Sequence, residues 1–458
     1  MNIEINYYDT YIKLDEIKYP IIEDIAMQML IIHLLISFFV LGQNPPSGDE
    51  WPDWRGYSRD GTWNENGVLK TFDFDKFEIK WSVPVSSGYS GPSIEGGRVY
   101  VTDRQTRPEE VERVLCFDAE NGNEIWTHTY DCEYVGVGYP AGPRASVIVE
   151  GPLAYSLGTM GNLFCFNKEN GDILWGKDLN EEYKIRMPIW GIASAPILID
   201  DKIILIIGGE DNAGVVALDR KSGKEVWRNL QDEAGYSAPV LVEQAGQKVL
   251  VVWTAENIAG LDPESGKVFW IHEFKPRNMP INIATPVLYK NYLFFSSFYD
   301  GSILIELNKE ELKSSVVWRR IGKDERNTDA LHCCISTPLI LNDYIYGVDS
   351  YGELRCLDLL TGDRIWEDLT AVNKDRWANI HFVQNGDLTY MFNEHGELII
   401  SKLSYSGYHE ISRAELIEPT TTQLNRRGIG VAWAHPGFAY KHVFIRSDKE
   451  LICADLSQ

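Results

Sequence analysis

Cys116–Trp126 reads CFDAENGNEIW, and Cys165–Trp175 reads CFNKENGDILW. The phrase is a small residue, an apolar one, Asp or Asn, a short variable stretch, Gly and then Trp. It returns as ALDRKSGKEVW at Ala217–Trp227, GLDPESGKVFW at Gly260–Trp270 and CLDLLTGDRIW at Cys356–Trp366. A looser copy with two extra residues ends at Trp318, and another, beginning at Ser401, puts Ile411 where the indole belongs. The stretch FEIKWSV carries a further anchor, Trp81, near the start. From Trp81 to Ile411 the anchors fall in near-equal steps of about 47 residues, the length of a four-stranded propeller blade.

Each unit reads as four short strands. In the first complete one they are expected at Pro92–Glu95, Arg98–Asp103, Val114–Asp118 and Glu124–Thr129. The turn before the last strand has its own chemistry. Asp118 can bond backbone two residues on, and Gly122 supplies the positive φ that the hairpin needs. Such D-x-x-x-G turns lack the further carboxylates and closing Glu of a calcium loop. The small residue ten positions before each Trp makes room for the indole, because alternation sends both to one face of the sheet. Cys116, Cys165, Cys356 and Cys453 are therefore small hydrophobes of a core, and they account for four of the seven cysteines.

The ends of the chain close the ring. ELICADLSQ at the C-terminus is a third strand with no fourth after it, and FEIKWSV is a fourth strand lacking the other three. Joined, they complete one blade and leave no open edge. The expectation is an all-β, eight-bladed propeller over 77–458, preceded by a linker and WPDWRG segment over 43–76 that packs on it, and by a leader over 1–42.

Composition narrows the partners. Hydrophobic residues make up 44% of the 458, which excludes a disordered chain, and aromatics reach 12%, which favours β-rich packing. A net charge of −24 disfavours a nucleic-acid partner. The apolar run Met29–Leu41 is short for a membrane span and suits a signal-peptide core, with Val40 and Gly42 placed for cleavage before Gln43. The acidic stretch ahead of it is explained if synthesis starts at Met27 or Met29. Export to the periplasm or cell envelope is expected, with membrane contact only through an uncleaved leader.

The repeats resemble those of the quinoprotein-type propellers, found in pyrroloquinoline quinone (PQQ) dehydrogenases and in the outer-membrane barrel assembly lipoprotein B family. WPDWRGYSRDG at Trp51–Gly61, WGIASAP at Trp190–Pro196 and AWAHP at Ala432–Pro436 are similar to a narrower set of exported bacterial PQQ-binding-like propellers. The resemblance covers about residues 51–458 and speaks to fold far more than to activity.

In a propeller, the loops that lead into the first strand of each blade meet at one mouth of the central channel. Read from the sequence, they bring Tyr89, Arg144, Trp190, Tyr236, Asn282, His332, Trp377, Trp433 and His435 together there, with His381 beside Trp377. Aromatic walls with a few polar tips make a binding funnel; the same aromatics would equally plug a narrowing channel. The adjacent Cys333 and Cys334 are either two small residues opening an inner strand or a strained vicinal disulfide, which the resemblance to methanol dehydrogenases brings to mind. A PQQ enzyme needs calcium held by carboxylate and amide oxygens, plus an Asp base. The mouth offers Asn282 alone, with Asp232, Glu233 and Asp329 lying outside it. There is no Cys-x-x-Cys-His for a covalent haem. His332 and His435 are the only candidates for a metal pair, and no metal is assigned.

The leading expectation is thus a monomeric, non-catalytic propeller of the cell envelope, with no catalytic residue assigned. It recognises a peptide, a carbohydrate or an envelope protein at the channel mouth. The alternative is a PQQ- and calcium-dependent alcohol or sugar dehydrogenase.

Overall fold

A computed structural model describes residues 49–458; the leader and its apolar run lie outside the described residues. Eight four-stranded antiparallel sheets form the ring of a β-propeller. Blade 1 holds β2 (Ser93–Glu95), β3 (Arg98–Gln105), β4 (Val111–Asp118) and β5 (Glu124–Asp131), each within a few residues of its expected bounds. Blades 2 to 7 repeat that order from the axis outward. Blade 8 takes its three inner strands from Gly437–Ala439, His442–Arg446 and Glu450–Asp455, and its outer strand is β1 (Ile79–Pro84). The two ends therefore share one sheet, with Trp81 opposite Cys453. Among the described residues the one helix is the short α1 (Leu179–Tyr183), capped by Asp178.

In six of the eight blades an outer-strand tryptophan latches the blade to the next. Trp126 donates its indole N–H to the Lys168 carbonyl at 2.9 Å, Trp175 to Arg220 at 3.1 Å and Trp227 to Pro263 at 2.9 Å. Trp318 and Trp366 reach Leu359 and Ser404 in the same way, and Trp81 reaches Ala119, which shuts the ring between blades 8 and 1. The turn glycine of the following blade lies against the preceding indole at Trp81, Trp126, Trp175, Trp227 and Trp318. A Cβ on Gly266 would come 2.4 Å from the Trp227 ring, at a backbone φ of +68 to +75° shared by most of these glycines. The turn sequence therefore serves two ends, reversing its own hairpin and receiving the neighbour's ring.

Two blades depart from the repeat. In blade 5, Trp318 lies opposite Leu304, across a hairpin four residues longer than the ten-residue phrase, and not two residues longer as the sequence suggests. In blade 7 the residue in the indole position is Ser412, opposite Ile400, while Ile411 falls at the β-bulge. That corrects the placement of Ile411. The missing indole is replaced by the segment ahead of β1. There Phe72, Phe74 and Phe77 cluster at 4.8 to 5.6 Å and pack in the same core as Ile411. The Phe72 amide donates to the Ser412 hydroxyl at 2.8 Å.

The stretch 49–76 is a strap laced through the ring. Trp51 forms a β-bridge with Ile94 on the inner strand of blade 1, Val149 of blade 2 donates to the Pro52 carbonyl, and Gln384 of blade 7 accepts from the Trp63 amide and donates to the Gly61 carbonyl. Between these, the strap dips into the axis.

Candidate functional site

The dip is built by Asp53, Trp54 and Arg59. Asp53 and Arg59 form a largely buried ion pair, and Asp53 also accepts the Trp54 amide at 2.6 Å. Arg59 donates to the Pro196 carbonyl at 2.9 Å and lies 3.5 Å from the Ala195 and Pro239 carbonyls, at the starts of the inner strands of blades 3 and 4. Trp54 donates its indole N–H to the Thr285 hydroxyl at 2.8 Å, at the start of blade 5. A charged pair and an indole thus bridge the inner-strand starts of blades 3, 4 and 5. Burial pushes the Asp53 carboxyl up against the opposing pull of Arg59.

Trp54 is part of the wall of a funnel-shaped cavity of about 150 Å³. Four tryptophans (Trp54, Trp190, Trp377, Trp433) and three tyrosines (Tyr89, Tyr139, Tyr236) line it, together with His381 and His435. The seven rings come from the strap and from the loops between blades. Small residues Ala193, Ala195 and Ala238 keep the inner-strand starts from filling the space. Those starts are laced from blade to blade by hydroxyls: Ser194 donates to the Ser237 carbonyl at 2.9 Å, and Ser237 to Ala284 at 3.0 Å.

Of the residues assigned to the mouth from sequence, Tyr89, Arg144, Trp190, Tyr236, Trp377, Trp433, His435 and Cys334 line the cavity. Asn282 does not. The wall residues are its neighbours Ile281 and Ile283, while Asn282 turns away to donate to the Thr254 carbonyl. His332 is also outside the wall, fully buried between the Gly322 amide and the Phe298 carbonyl. Cys333 and Cys334 are unpaired in the structure. Cys333 is buried in a core with Leu304 and Ile345, whereas Cys334 packs with Ile281 and Phe298 at the funnel. Consecutive side chains on extended backbone diverge, so the two sulfurs serve different surroundings. Trp54 and Tyr139 were not foreseen, nor was the part played by Ile335.

Two wall residues hold costly backbone. Tyr139 has φ of +51° and Trp377 +68°, a conformation that costs a bulky side chain about 1–3 kcal/mol. Their rings meet edge to face, with centroids 6.1 Å apart, and Tyr139 also abuts Trp190. The Tyr89 hydroxyl, shared between the Tyr139 and Gln423 carbonyls, ties this arch to the loop before blade 8. Trp433 is fixed by Glu394, which accepts its indole N–H at 2.9 Å and is ion-paired to Arg427.

Charge in the wall belongs to Arg144 alone. It lies 4.9 Å over the Tyr89 ring and donates to the carbonyls of Gly138, Tyr139 and Gly142. No carboxylate lines the cavity, and among the described residues no group of three His, Cys, Asp or Glu side chains is placed to hold a metal ion. The two imidazoles are neutral: burial holds His381 down to about 4 and His435 well below the ordinary range, the latter also feeling His381 beside it. His435 donates from Nδ1 to the Pro436 carbonyl at 2.6 Å, because a carbonyl can only accept. Its Nε2 therefore carries a lone pair, and that atom has no partner; neither does the buried indole N–H of Trp377.

Comparison with known proteins agrees with this architecture. A family model described as outer membrane protein assembly factor BamB matches residues 110–368. A curated relative of that same description from Shewanella oneidensis is 22% identical over 56% of this chain and 63% of its own length, so the chain spans less than two thirds of that relative. Among solved structures, BamB from Moraxella catarrhalis superposes with a TM-score of 0.54 at 15% identity, over 82% of this chain and 99% of that one. A quinohemoprotein alcohol dehydrogenase from Comamonas testosteroni gives 0.60 at 12% identity, over 91% and 81%. At these identities the superpositions speak to the fold.

Proposed function

This chain belongs to the family of the outer membrane protein assembly factor BamB, and from that premise we propose that it is a non-catalytic binding or scaffolding propeller of the cell envelope. It is exported, and it recognises a peptide, a carbohydrate or another envelope protein at the mouth of its axial funnel. The observation that carries this reading is the funnel itself. Aromatic and aliphatic side chains form its wall, Trp54 of the strap among them, and Arg144 is its one charged group. Concave apolar surface with a few oriented polar groups is the make-up of a recognition site. The test is the double variant Trp190→Ala with Trp433→Ala, checked for unchanged thermal unfolding. Loss of co-purifying envelope partners supports the reading, and an unchanged set of partners contradicts it.

The likeness to quinone-dependent alcohol dehydrogenases supports a second reading, a PQQ- and calcium-dependent dehydrogenase of alcohols or sugars. The funnel does not fit that group. Its wall has no carboxylate for calcium or for a general base, its one cation is committed to backbone carbonyls, and its volume is below that usual for a cofactor site. Equilibrating the protein with PQQ and calcium, then following dye reduction over alcohols and sugars, separates the two readings. Stoichiometric uptake with turnover would overturn the first.

A further inference from the structure

Arg55 follows Trp54 in the strap and is the cation of the dip that no acid answers. Its backbone is left-handed, with φ of +61°, and the residue is only 3% exposed. Among the described residues its one hydrogen bond runs from Nη2 to the Asp60 carbonyl at 2.8 Å, and it joins no ion pair. The Asp60 carboxylate is on the exposed side and accepts the Thr62 amide at 2.8 Å. Asp53, the buried acid of the dip, is committed to Arg59. His381 and His435 both feel the Arg55 charge and are neutral. The dip therefore sets two guanidiniums, Arg55 and Arg59, against the single carboxylate of Asp53, an excess of one positive charge. Burial lowers Arg55 to about 10, which leaves it charged at neutral pH. A buried charge without a counter-charge is costly unless a partner of opposite sign joins it.

The shape of the guanidinium says where such a partner stands. Its five N–H donors make two forked edges that share Nη2, one with Nε and one with Nη1. The Asp60 carbonyl takes one Nη2 hydrogen, so whichever it takes, the other edge keeps both donors. That edge is within reach of a ligand. Nε and Nη1 of Arg55 make no hydrogen bond, yet both keep accessible surface, unlike Arg59 Nε, which is sealed without a partner. The small exposed part of Arg55 therefore includes its guanidinium. Gly61 makes the room. A Cβ there would stand 2.7 Å from Arg55 Nη2 and 3.1 Å from the Phe382 carbonyl of blade 7. An opening this narrow admits an ion of very few atoms and no peptide carboxylate with its chain attached.

We infer that the free forked edge of Arg55 binds a small monovalent anion, of about the size of chloride, where the strap meets blade 7, and that this ion balances the surplus charge of the dip. Two N–H donors aimed at one anion is the contact that a guanidinium is built to make. The ion binds the folded ring and not the unfolded chain, so it clamps the strap and adds stability as its concentration rises. This site is separate from recognition at the funnel and does not depend on it.

The test uses the full-length protein. Crystals are soaked in potassium bromide. In solution the melting temperature is followed as potassium gluconate, whose anion is too large to enter, is exchanged for potassium chloride at constant potassium. The expected results are an anomalous bromide peak on the free edge of Arg55 and a rise in melting temperature of about 1–3 °C, which Arg55→Met abolishes. Arg55→Lys keeps the charge and loses the fork, and it is expected to retain less than about half of the rise. The readout is the response to chloride, so a lower starting melting temperature in a variant does not confuse it. Should Arg55→Met fail to fold, Arg55→Lys and the bromide peak decide. No bromide peak at Arg55 overturns the inference, and so does a chloride response that the variants leave unchanged. A peak without any chloride response marks an adventitious ion only and overturns it as well.

Discussion

The indole Nε1 of Trp54 donates to the hydroxyl of Thr285 at 2.8 Å, joining residues 231 positions apart across the axis of the ring. One side chain from outside the repeat thus supplies the floor of a cavity whose walls the repeat provides. Removing only the hydrogen bond, with Trp54→Phe, is expected to lower unfolding free energy by about 1 kcal/mol. Trp54→Ala also removes packing and is expected to cost about 2–4 kcal/mol. Urea unfolding of the two variants checks this, and the gap between them measures the packing of the plug.

Trp270 breaks the latch rule in an informative way. The longer hairpin of blade 5 moves the usual carbonyl acceptor, and Trp270 instead donates to Gln244 Oε1 at 3.0 Å. Gln244, itself buried, passes the connection on by donating from Nε2 to the Lys313 carbonyl at 2.6 Å and the Glu311 carbonyl at 3.2 Å. Gln244→Ala leaves an indole N–H and blade 5 carbonyls unpaired inside the seam, an expected loss of about 2–4 kcal/mol. Gln244→Glu keeps the acceptor but sets a carboxylate against carbonyls, and it is expected to cost at least as much at neutral pH. Thermal unfolding compared with Trp227→Phe, which disturbs a regular latch, checks the assignment.

The buried imidazoles make stability depend on pH. His381 and His332 are each held at about 4 by burial, against about 6.5 in the unfolded chain. Between those values the unfolded state binds the extra proton, so stability is full above about pH 6.5 and falls as pH drops toward 4, by on the order of 3 kcal/mol per imidazole. Asp349, raised to about 6 by burial, acts in the opposite sense over the lower part of that window. The clean measurement is therefore a difference. Replacing His381 by Asn is expected to flatten the loss of stability between pH 6.5 and pH 4 relative to the parent, and equal slopes would contradict the assignment.

Cys333 and Cys334 are expected to remain thiols. The mass of the natively purified protein is then the same before and after reduction, without the gain of about two daltons that opening a disulfide brings. Alkylation after denaturation adds seven labels, one for each cysteine. In the folded protein, burial pushes the Cys334 thiol up to about 12, so its native alkylation at pH 8 is expected to be slow.

The ring was legible in the sequence because its geometry forces periodic chemistry. Every blade needs a hairpin turn, a ring to wedge against its neighbour and a small residue opposite, and Cys116 with Trp126 displays all of this in eleven letters. Where a blade solves the seam differently, the letters give no warning, since the substitute lies outside the repeated phrase: the Phe72–Phe77 segment at Ser412, and the inner-strand Gln244 at Trp270. The funnel was legible to the same extent. Tyr89, Trp190 and Trp433 recur at the strand starts, so position alone brings them to the axis. Asn282 and His332 come from the same kind of loop, but each turns to bond neighbouring backbone, Thr254 for one and Phe298 and Gly322 for the other, which position in the repeat does not reveal. Trp54 has no period to betray it, and only the three-dimensional path of the strap brings it under the mouth.

The account turns on the funnel being the surface that meets a partner. The most direct measurement places the photo-crosslinking residue p-benzoylphenylalanine at position 190 in the wall and, separately, at the exposed position 174 on the outer strand of blade 2, followed by irradiation of intact cells. The expected result is a discrete adduct from position 190 and none from position 174. Adducts from position 174 with a silent position 190 would contradict the account and move recognition to the rim of the blades.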